Sequence, residues 1–220
     1  MAAIDGITFP GDIYLFGIWS GVSAKLTLDY LDLRQVPYDN VYGFDSFVGL
    51  PEEERPLRHR EHGKGKYSSV KLYGEFVEKT IETAEGGADK VIEIIEESVD
   101  KTMDIIKEGV NNPKLKLIPG FYADVLDTEL VYTENMGVAS FVDIDVDLHG
   151  STVEVLTFLF SHGLVAKGTT IYFDDWGATK EYKGGESLAW KDTTEKYNIK
   201  YEEIHSSGEM PYVVKVFQIK

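Results

Sequence analysis

Aspartates lie at or near the ends of three apolar segments of this sequence, at positions where carboxylates can bind a ligand or a cation. Asp45 follows the run VYGF at residues 41–44, Asp145 lies in the segment ASFVDIDV, and Asp174 with Asp175 follows the run TIYF. In an open parallel sheet, the carboxyl ends of the strands meet at one edge and bind ligands there. Oxygen ligands suit a hard cation such as Mg²⁺. Aspartates after strands also begin turns or cap helices, and that simpler role stays open here.

The segment at residues 139–146 is unusual because it is apolar yet acidic. Asp143, Asp145 and Asp147 follow one another at two-residue intervals. Alternate side chains of a strand share a face, so we expect these three carboxylates to project from one face while strand geometry lasts. An acid within an apolar strand needs a partner that offsets its desolvation, and a cation is one such partner.

Short apolar segments alternate with amphipathic ones along the chain. We predict strands at residues 13–18, 41–44, 115–119, 139–146 and 169–173, and helices at 23–33, 73–109, 151–164 and 190–197. The helix at 73–109 is expected in two pieces, because two glycines at 86 and 87 are poor helix interiors. A terminal antiparallel hairpin begins near residue 201. The pattern predicts an α/β fold, a Rossmann-like, doubly wound, mostly parallel sheet covered on both sides.

The composition favours one globular domain, residues 1–220, with a small-molecule partner. The net charge of −16 argues against nucleic acid or an anionic membrane, because both are bound through clustered Lys and Arg. We see no apolar run long enough to cross a bilayer, no secretory signal pattern and no cysteine, and we expect a cytoplasmic protein. The basic cluster at residues 55–66 is interpreted as a surface loop.

Four segments carry a family resemblance. They are YGFDSFVGLPEE at 42–53, DIDVDLHGSTVEVL at 143–156, TIYFDDWGA at 170–178 and GGESLAWKDTTEKYNI at 184–199. In this order and at these separations they resemble the macrocin-type sugar O-methyltransferases, a class I family that uses S-adenosylmethionine and a divalent metal. The resemblance covers most of residues 11–199, with 64–112 the poorly matched part. It implies an enzyme that methylates a hydroxyl of a small molecule, and a homodimer.

The resemblance also implies which residues form the site. The cofactor-binding residues would be Gly17, Ile18, Trp19, Ser20, Asp45, Ser46, Ala123 and Asp124. Asp45 would bind the ribose hydroxyls, a task that suits a carboxylate because it accepts two hydrogen bonds. The turn at residues 16–21 would meet the methionine part, and Ala123 with Asp124 would approach the adenine.

The metal site implied by the resemblance consists of Asp145, Asp174 and Asp175. A metal there would bind two neighbouring hydroxyls of the acceptor and lower the pKa of one of them. Asp145 or His149 would then accept the proton as the catalytic base. The insertion at about residues 52–112 would form a helical lid over the acceptor.

The sequence departs from the family pattern in three places. Phe16 stands where the family usually has an acid that contacts the amino group of the cofactor, and the SGV tripeptide that follows lacks a second adjacent glycine. His149 stands where the family commonly has tyrosine, a change in the acceptor pocket.

Two other functions stay open at this point. A nicotinamide-dependent dehydrogenase also places an acid after its second strand, but it requires a G-x-G-x-x-G turn, which GIWSGV lacks. A binding or scaffold protein on a degenerate methyltransferase fold would account for Phe16, and would bind the cofactor without turnover.

Overall fold

The structure, a computed structural model, describes residues 3–53, 63–73, 87–177, 185–209 and 212–220. Most of the predicted loop at residues 55–66 lies outside these ranges, as does the first piece of the helix predicted at 73–109. The second piece is present, and it begins at Gly87.

The described elements alternate along the chain as the sequence predicts. The strands are β1 (Asp12–Phe16), β2 (Val41–Asp45), β3 (Leu115–Pro119), β4 (Ala139–Ile144), β5 (Thr170–Phe173), β6 (Tyr201–Glu209) and β7 (Tyr212–Ile219). The helices are α1 (Val22–Leu33), α2 (Ser69–Tyr73), α3 (Gly87–Val110), α4 (Tyr122–Val125), α5 (Thr128–Thr133), α6 (His149–Ser161) and α7 (Glu186–Lys196), after a short 3₁₀ turn at Ile4–Gly6.

Within the described residues, the strands form one sheet in the order β3-β2-β1-β4-β5-β7-β6. The first five are parallel to one another, and β7 pairs antiparallel with both β5 and β6. The predicted mostly parallel sheet with a closing hairpin is therefore confirmed. The order reverses between β1 and β4, which is where open α/β sheets form a crevice for ligands.

Alternating side chains of β1 reach two separate cores, one on each face of the sheet. Ile13 and Leu15 pack with residues of α1 and α3, whereas Tyr14 and Phe16 pack with residues of α6 and α7. All four are buried, which explains why β1 reads as a continuous apolar run. Helices on both faces hold the carboxyl ends of the central strands in fixed relative positions.

Some element bounds differ from the prediction. β1 ends at Phe16 rather than at residue 18, because Gly17 turns away with φ of 90°. Helix α6 begins at His149 and α7 at Glu186, in each case before the predicted start. No helix within the described ranges is long and apolar enough to cross a membrane.

Candidate active site

A cavity of about 460 Å³ opens at the carboxyl ends of the five parallel strands. Each strand contributes a lining residue at or just past its end: Gly17 after β1, Asp45 on β2, Gly120 after β3, Asp145 after β4 and Asp174 after β5. The aspartates that the sequence singled out therefore converge on one cavity. Its volume lies within the range of small-molecule sites in proteins.

The Asp45 carboxylate combines the two roles that the sequence left open. It ends β2, and its Oδ1 accepts a hydrogen bond from the Phe47 backbone N–H at 2.6 Å, which is a turn-forming contact. Its Oδ2 accepts from the Trp19 backbone N–H at 2.8 Å. Burial raises the pKa of Asp45, while the N–H groups of Trp19, Phe47 and Ile18 oppose that shift. A carboxylate has about four acceptor positions, so lone pairs remain for a ligand.

The turn after β1 is tightly packed against the end of β4. Gly17 has φ of 90°, and a Cβ placed there would lie 1.8 Å from the Asp145 carbonyl oxygen. Helix α2 holds the other side of this turn: the Ser69 hydroxyl donates to the Trp19 carbonyl at 2.6 Å, and the Tyr73 hydroxyl donates to the Ser20 carbonyl at 2.8 Å. The turn is therefore fixed before any ligand binds.

The strand predicted at residues 139–146 is shorter in the structure, so the strand geometry on which a shared face of Asp143, Asp145 and Asp147 depended does not extend to all three. The strand ends at Ile144, and Asp147 has φ of 60°. The carboxylates still lie close to one another. Burial, followed by the charges of Asp143, Asp147, Asp174 and Asp175, raises the pKa of Asp145 well above its usual range.

Asp143 is the acid that lies inside β4, and its Oδ1 is shielded from solvent with no hydrogen-bond partner in the described residues. Burial and then the Asp174 carboxylate raise the pKa of Asp143 to about 7. The sequence argument for an uncompensated buried acid therefore applies more directly to Asp143 than to Asp145.

The paired aspartates after β5 have different environments. Oδ1 of Asp174 accepts from the Tyr172 hydroxyl at 2.6 Å, whereas the backbone N–H of Asp175 donates to Oε2 of Glu186 at 3.0 Å. Glu186 is fully buried at the start of α7, and burial followed by the charges of Asp175 and Asp145 raises its pKa. Sequence reasoning missed Glu186; an acid in the first turn of a helix, directly after two glycines, was the available signal.

Of the remaining predicted site residues, some line the cavity and others do not. Ser46, Trp19 and Ala123 line the cavity. Ile18 is buried in the core beside α1, and Asp124 is exposed on α4. Ser20 follows the lining residue Trp19, and His149 lies between the lining residues Leu148 and Gly150, but neither Ser20 nor His149 lines the cavity itself.

The mouth of the cavity is acidic and aromatic. Oε2 of Glu53, in the loop after β2, accepts from the Gly150 N–H at 3.0 Å, at the start of α6. Burial, then Asp124 and Glu53, raise the pKa of Glu154 on the same helix. Trp19 lies edge-to-face with Tyr67, with 5.9 Å between ring centroids.

The charge of the site suits a cation, whereas its geometry is not that of a complete metal site. The mutual repulsion among Asp145, Asp174 and their neighbours is what a divalent cation would relieve. Within the part of the chain that the structure describes, no three acidic or histidine side chains are arranged to hold one metal ion.

The sheet order and the position of the cavity define a class I methyltransferase fold. The chain belongs to the macrocin-O-methyltransferase (TylF) family, which its residues 1–205 match. The protein is therefore an enzyme, an S-adenosylmethionine-dependent O-methyltransferase. Membership excludes the dehydrogenase alternative.

Two solved structures show the same fold. One is the calicheamicin methyltransferase CalS11, with a TM-score of 0.63 and 16% identity over 99% of this chain and 74% of that one. The other is the O-methyltransferase NovP, with a TM-score of 0.60 and 19% identity over 98% of this chain and 74% of that one. No functionally curated protein matches this sequence at a significant level.

Proposed function

We propose that this enzyme transfers the methyl group of S-adenosylmethionine to a hydroxyl of a sugar or sugar-bearing natural product, with assistance from Mg²⁺ or another divalent cation. The observation that carries the proposal is the convergence of Asp45, Asp145 and Asp174 on one cavity at the switch point of the sheet. Both similar structures are methyltransferases, and CalS11 is a TDP-rhamnose 3'-O-methyltransferase of calicheamicin biosynthesis.

In this proposal the cofactor lies across the ends of β1, β2 and β3. Asp45 accepts hydrogen bonds from the ribose hydroxyls, with Ser46 beside it. The turn formed by Gly17, Ile18, Trp19 and Ser20 contacts the methionine part through its backbone. Ala123 and Asp124 on α4 lie beside the adenine. Support comes from the fixed geometry of the turn: Gly17 lines the cavity, and because it has no side chain the turn packs directly against the Asp145 carbonyl.

The acceptor hydroxyl lies above the end of β4, where Asp145 takes its proton. Methyl transfer to oxygen is an in-line displacement, so holding the two reacting atoms close supplies most of the acceleration. Asp145 can take this role because it lines the cavity just past the end of β4, beside the space that an acceptor would occupy. His149, in the first turn of α6, is the alternative base. It is the weaker candidate, because it is adjacent to the lining residue Gly150 but does not line the cavity itself.

The residues that would hold a divalent cation are Asp145, Asp174 and Asp175. A bound Mg²⁺ would supply positive charge that lowers the pKa of an acceptor hydroxyl. The support is electrostatic, because the charges of Asp174 and Asp175 contribute to the raised pKa of Asp145.

Residues 52–112 act as a lid in this proposal. Two described residues of that segment support it: Glu53 contacts the start of α6, and Tyr67 lines the cavity beside Trp19. The faces of the Trp19 and Tyr67 rings suit the apolar face of a sugar ring.

We also propose a homodimer that uses α3, because Ile92 and Ile105 are exposed on that helix while Ile106 and Val110 pack on the core. Sedimentation of an Ile92→Glu variant tests the dimer.

A direct test is methyl transfer from labelled S-adenosylmethionine to a panel of glycosides, with Mg²⁺ or with a chelator. We expect methylated sugar only with the metal. Asp145→Asn should lower kcat by about 10²–10⁴-fold, whereas His149→Gln should lower it far less. Turnover that survives chelation and the Asp145 change, on any acceptor, would contradict the proposed mechanism.

A further inference from the structure

Tyr122, the first residue of α4, places a hydroxyl at the bottom of the cavity. The hydroxyl lies 3.5 Å from the Phe44 carbonyl oxygen, next to the hydrogen bond that the Gly17 N–H donates to the same carbonyl at 3.0 Å. The Tyr122 hydroxyl therefore lies beside the last backbone hydrogen bond that joins the ends of β1 and β2. Tyr122 also lines the cavity.

The ring of Tyr122 is held by the residue that departs from the family pattern. Phe16 stacks on Phe44, with 4.6 Å between centroids and 11° between planes, and Tyr122 meets Phe16 edge-on at 5.9 Å. Phe16 is fully buried, so the end of β1 presents an apolar side chain where an acid would present a carboxylate. The Tyr122 ring, which packs on Phe16, carries a hydroxyl, and Tyr122 lines the cavity.

The hydroxyl is suited to accept a hydrogen bond from a cationic group. Its contact with the Phe44 carbonyl is long, and a phenolic oxygen keeps acceptor capacity while it donates. Burial, followed by the Asp45 and Asp145 carboxylates, raises the pKa of Tyr122, while the backbone N–H of Gly17 opposes that shift, so the group stays neutral in a negative environment and one acceptor position remains for a ligand.

We propose that the Tyr122 hydroxyl replaces the missing acid at position 16 and accepts a hydrogen bond from the amino group of the cofactor's methionine part. This inference rests on the proposed function, because it takes S-adenosylmethionine as the occupant of the cavity. It makes Tyr122 a cofactor-binding residue, and it explains how a chain with Phe16 keeps a polar contact at the end of β1.

The test compares three ligands with one conservative variant. S-adenosylmethionine and S-adenosylhomocysteine carry the amino group, whereas 5′-methylthioadenosine has the same nucleoside without it. Tyr122→Phe should weaken binding of the first two by about 10–150-fold, the loss expected for one hydrogen bond to a charged group. Binding of 5′-methylthioadenosine should stay unchanged. Tyr132→Phe, at an exposed tyrosine of α5, is the matched control and should change none of the three.

The outcomes separate this inference from the function on which it rests. Equal weakening of all three ligands would mean that Tyr122 only supports the shape of the cavity, and no weakening would mean that its hydroxyl does not contact the cofactor; either result overturns the inference. If the unmodified protein binds no S-adenosylmethionine while folded, the proposed function fails, and the inference fails with it. Calorimetry at one pH gives all three dissociation constants.

Discussion

The Asp45 carboxylate accepts a hydrogen bond from the Trp19 backbone N–H at 2.8 Å, and this bond joins the end of β2 to the turn after β1. The two segments are 26 residues apart in sequence. The same carboxylate also fixes its own turn through Phe47. One side chain therefore holds together two loops that line the cavity, so a change at Asp45 affects both.

Gly17 should tolerate no side chain. Gly17→Ala places a Cβ against the Asp145 carbonyl and requires φ of 90°, so we expect a loss of about 2–4 kcal/mol in the free energy of unfolding. Gly109→Ala is the control, because nothing lies within 4 Å of its Cβ position and it is inside α3. That change should stabilise the protein by roughly 0.5–1 kcal/mol. Equal effects of the two changes in urea unfolding would contradict the packing described.

The metal-free protein should become more stable as the pH falls from 8 towards 5. The pKa of Asp143 is about 7 in the folded state and close to 4 in the unfolded state. At pH values between these two, Asp143 is mostly protonated in the folded protein and mostly ionised in the unfolded one, so the folded state gains stability as the pH falls. The penalty of ionised Asp143 is fully present above pH 7 and is relieved below it, by roughly a few kcal/mol.

Asp143→Asn tests this assignment, since asparagine does not ionise. The variant should be more stable than the unmodified protein at pH 8 and should show a weaker pH dependence, measured by urea unfolding with a chelator present. Asp100→Asn, at an exposed position of α3, should leave the dependence unchanged. A flat profile for the unmodified protein would show that Asp143 is not desolvated.

Magnesium should stabilise the protein through the acids around Asp145. We expect Mg²⁺ to raise Tm at pH 8, by about 2–4 °C for each kcal/mol of binding free energy, relative to NaCl at the same ionic strength. Asp174→Asn should abolish the increase, and Asp192→Asn, at an exposed position of α7, should preserve it. An increase that persists in the Asp174 variant would place the cation elsewhere.

Glu186 should position the loop that carries Asp175. Glu186→Ala removes the acceptor of the Asp175 N–H, so we expect a loss of about 1–3 kcal/mol and slower methyl transfer. Glu186→Gln keeps an acceptor oxygen and removes a buried charge, so its stability should equal or exceed that of the unmodified protein. If Gln destabilises as much as Ala, then the charge rather than the acceptor is what the loop requires.

The fold was predictable from the sequence because the signal is local. Residues 115–119 and 41–44 are apolar, short and bounded by turn residues, and β3 and β2 lie within one residue of those predictions. Positions set by backbone geometry were less predictable. The end of β4 at Ile144 depends on how the chain turns at Asp147, which its residue type does not dictate.

The candidate site was predictable in part for the same reason. Asp45, Asp145 and Asp174 were identifiable because each lies at or near the end of a strand pattern, and parallel strands align such positions. Glu186 and Tyr122 were missed because each reaches the site from the first turn of a helix, through the packing of that helix on the sheet. For Glu186 the local signal was an acid in the first turn of a helix after two glycines, but that signal does not say which part of the sheet the helix packs against.

The most direct test of this account is calorimetric titration with S-adenosylmethionine, comparing the unmodified protein with Asp45→Ala, and Asp29→Ala, at an exposed position on α1, as the control. The account predicts saturable binding to the unmodified and control proteins, and loss of that binding in the Asp45 variant while it remains folded. Undiminished binding in the folded Asp45 variant, or no binding by the unmodified protein, would contradict the assignment of this cavity to the cofactor.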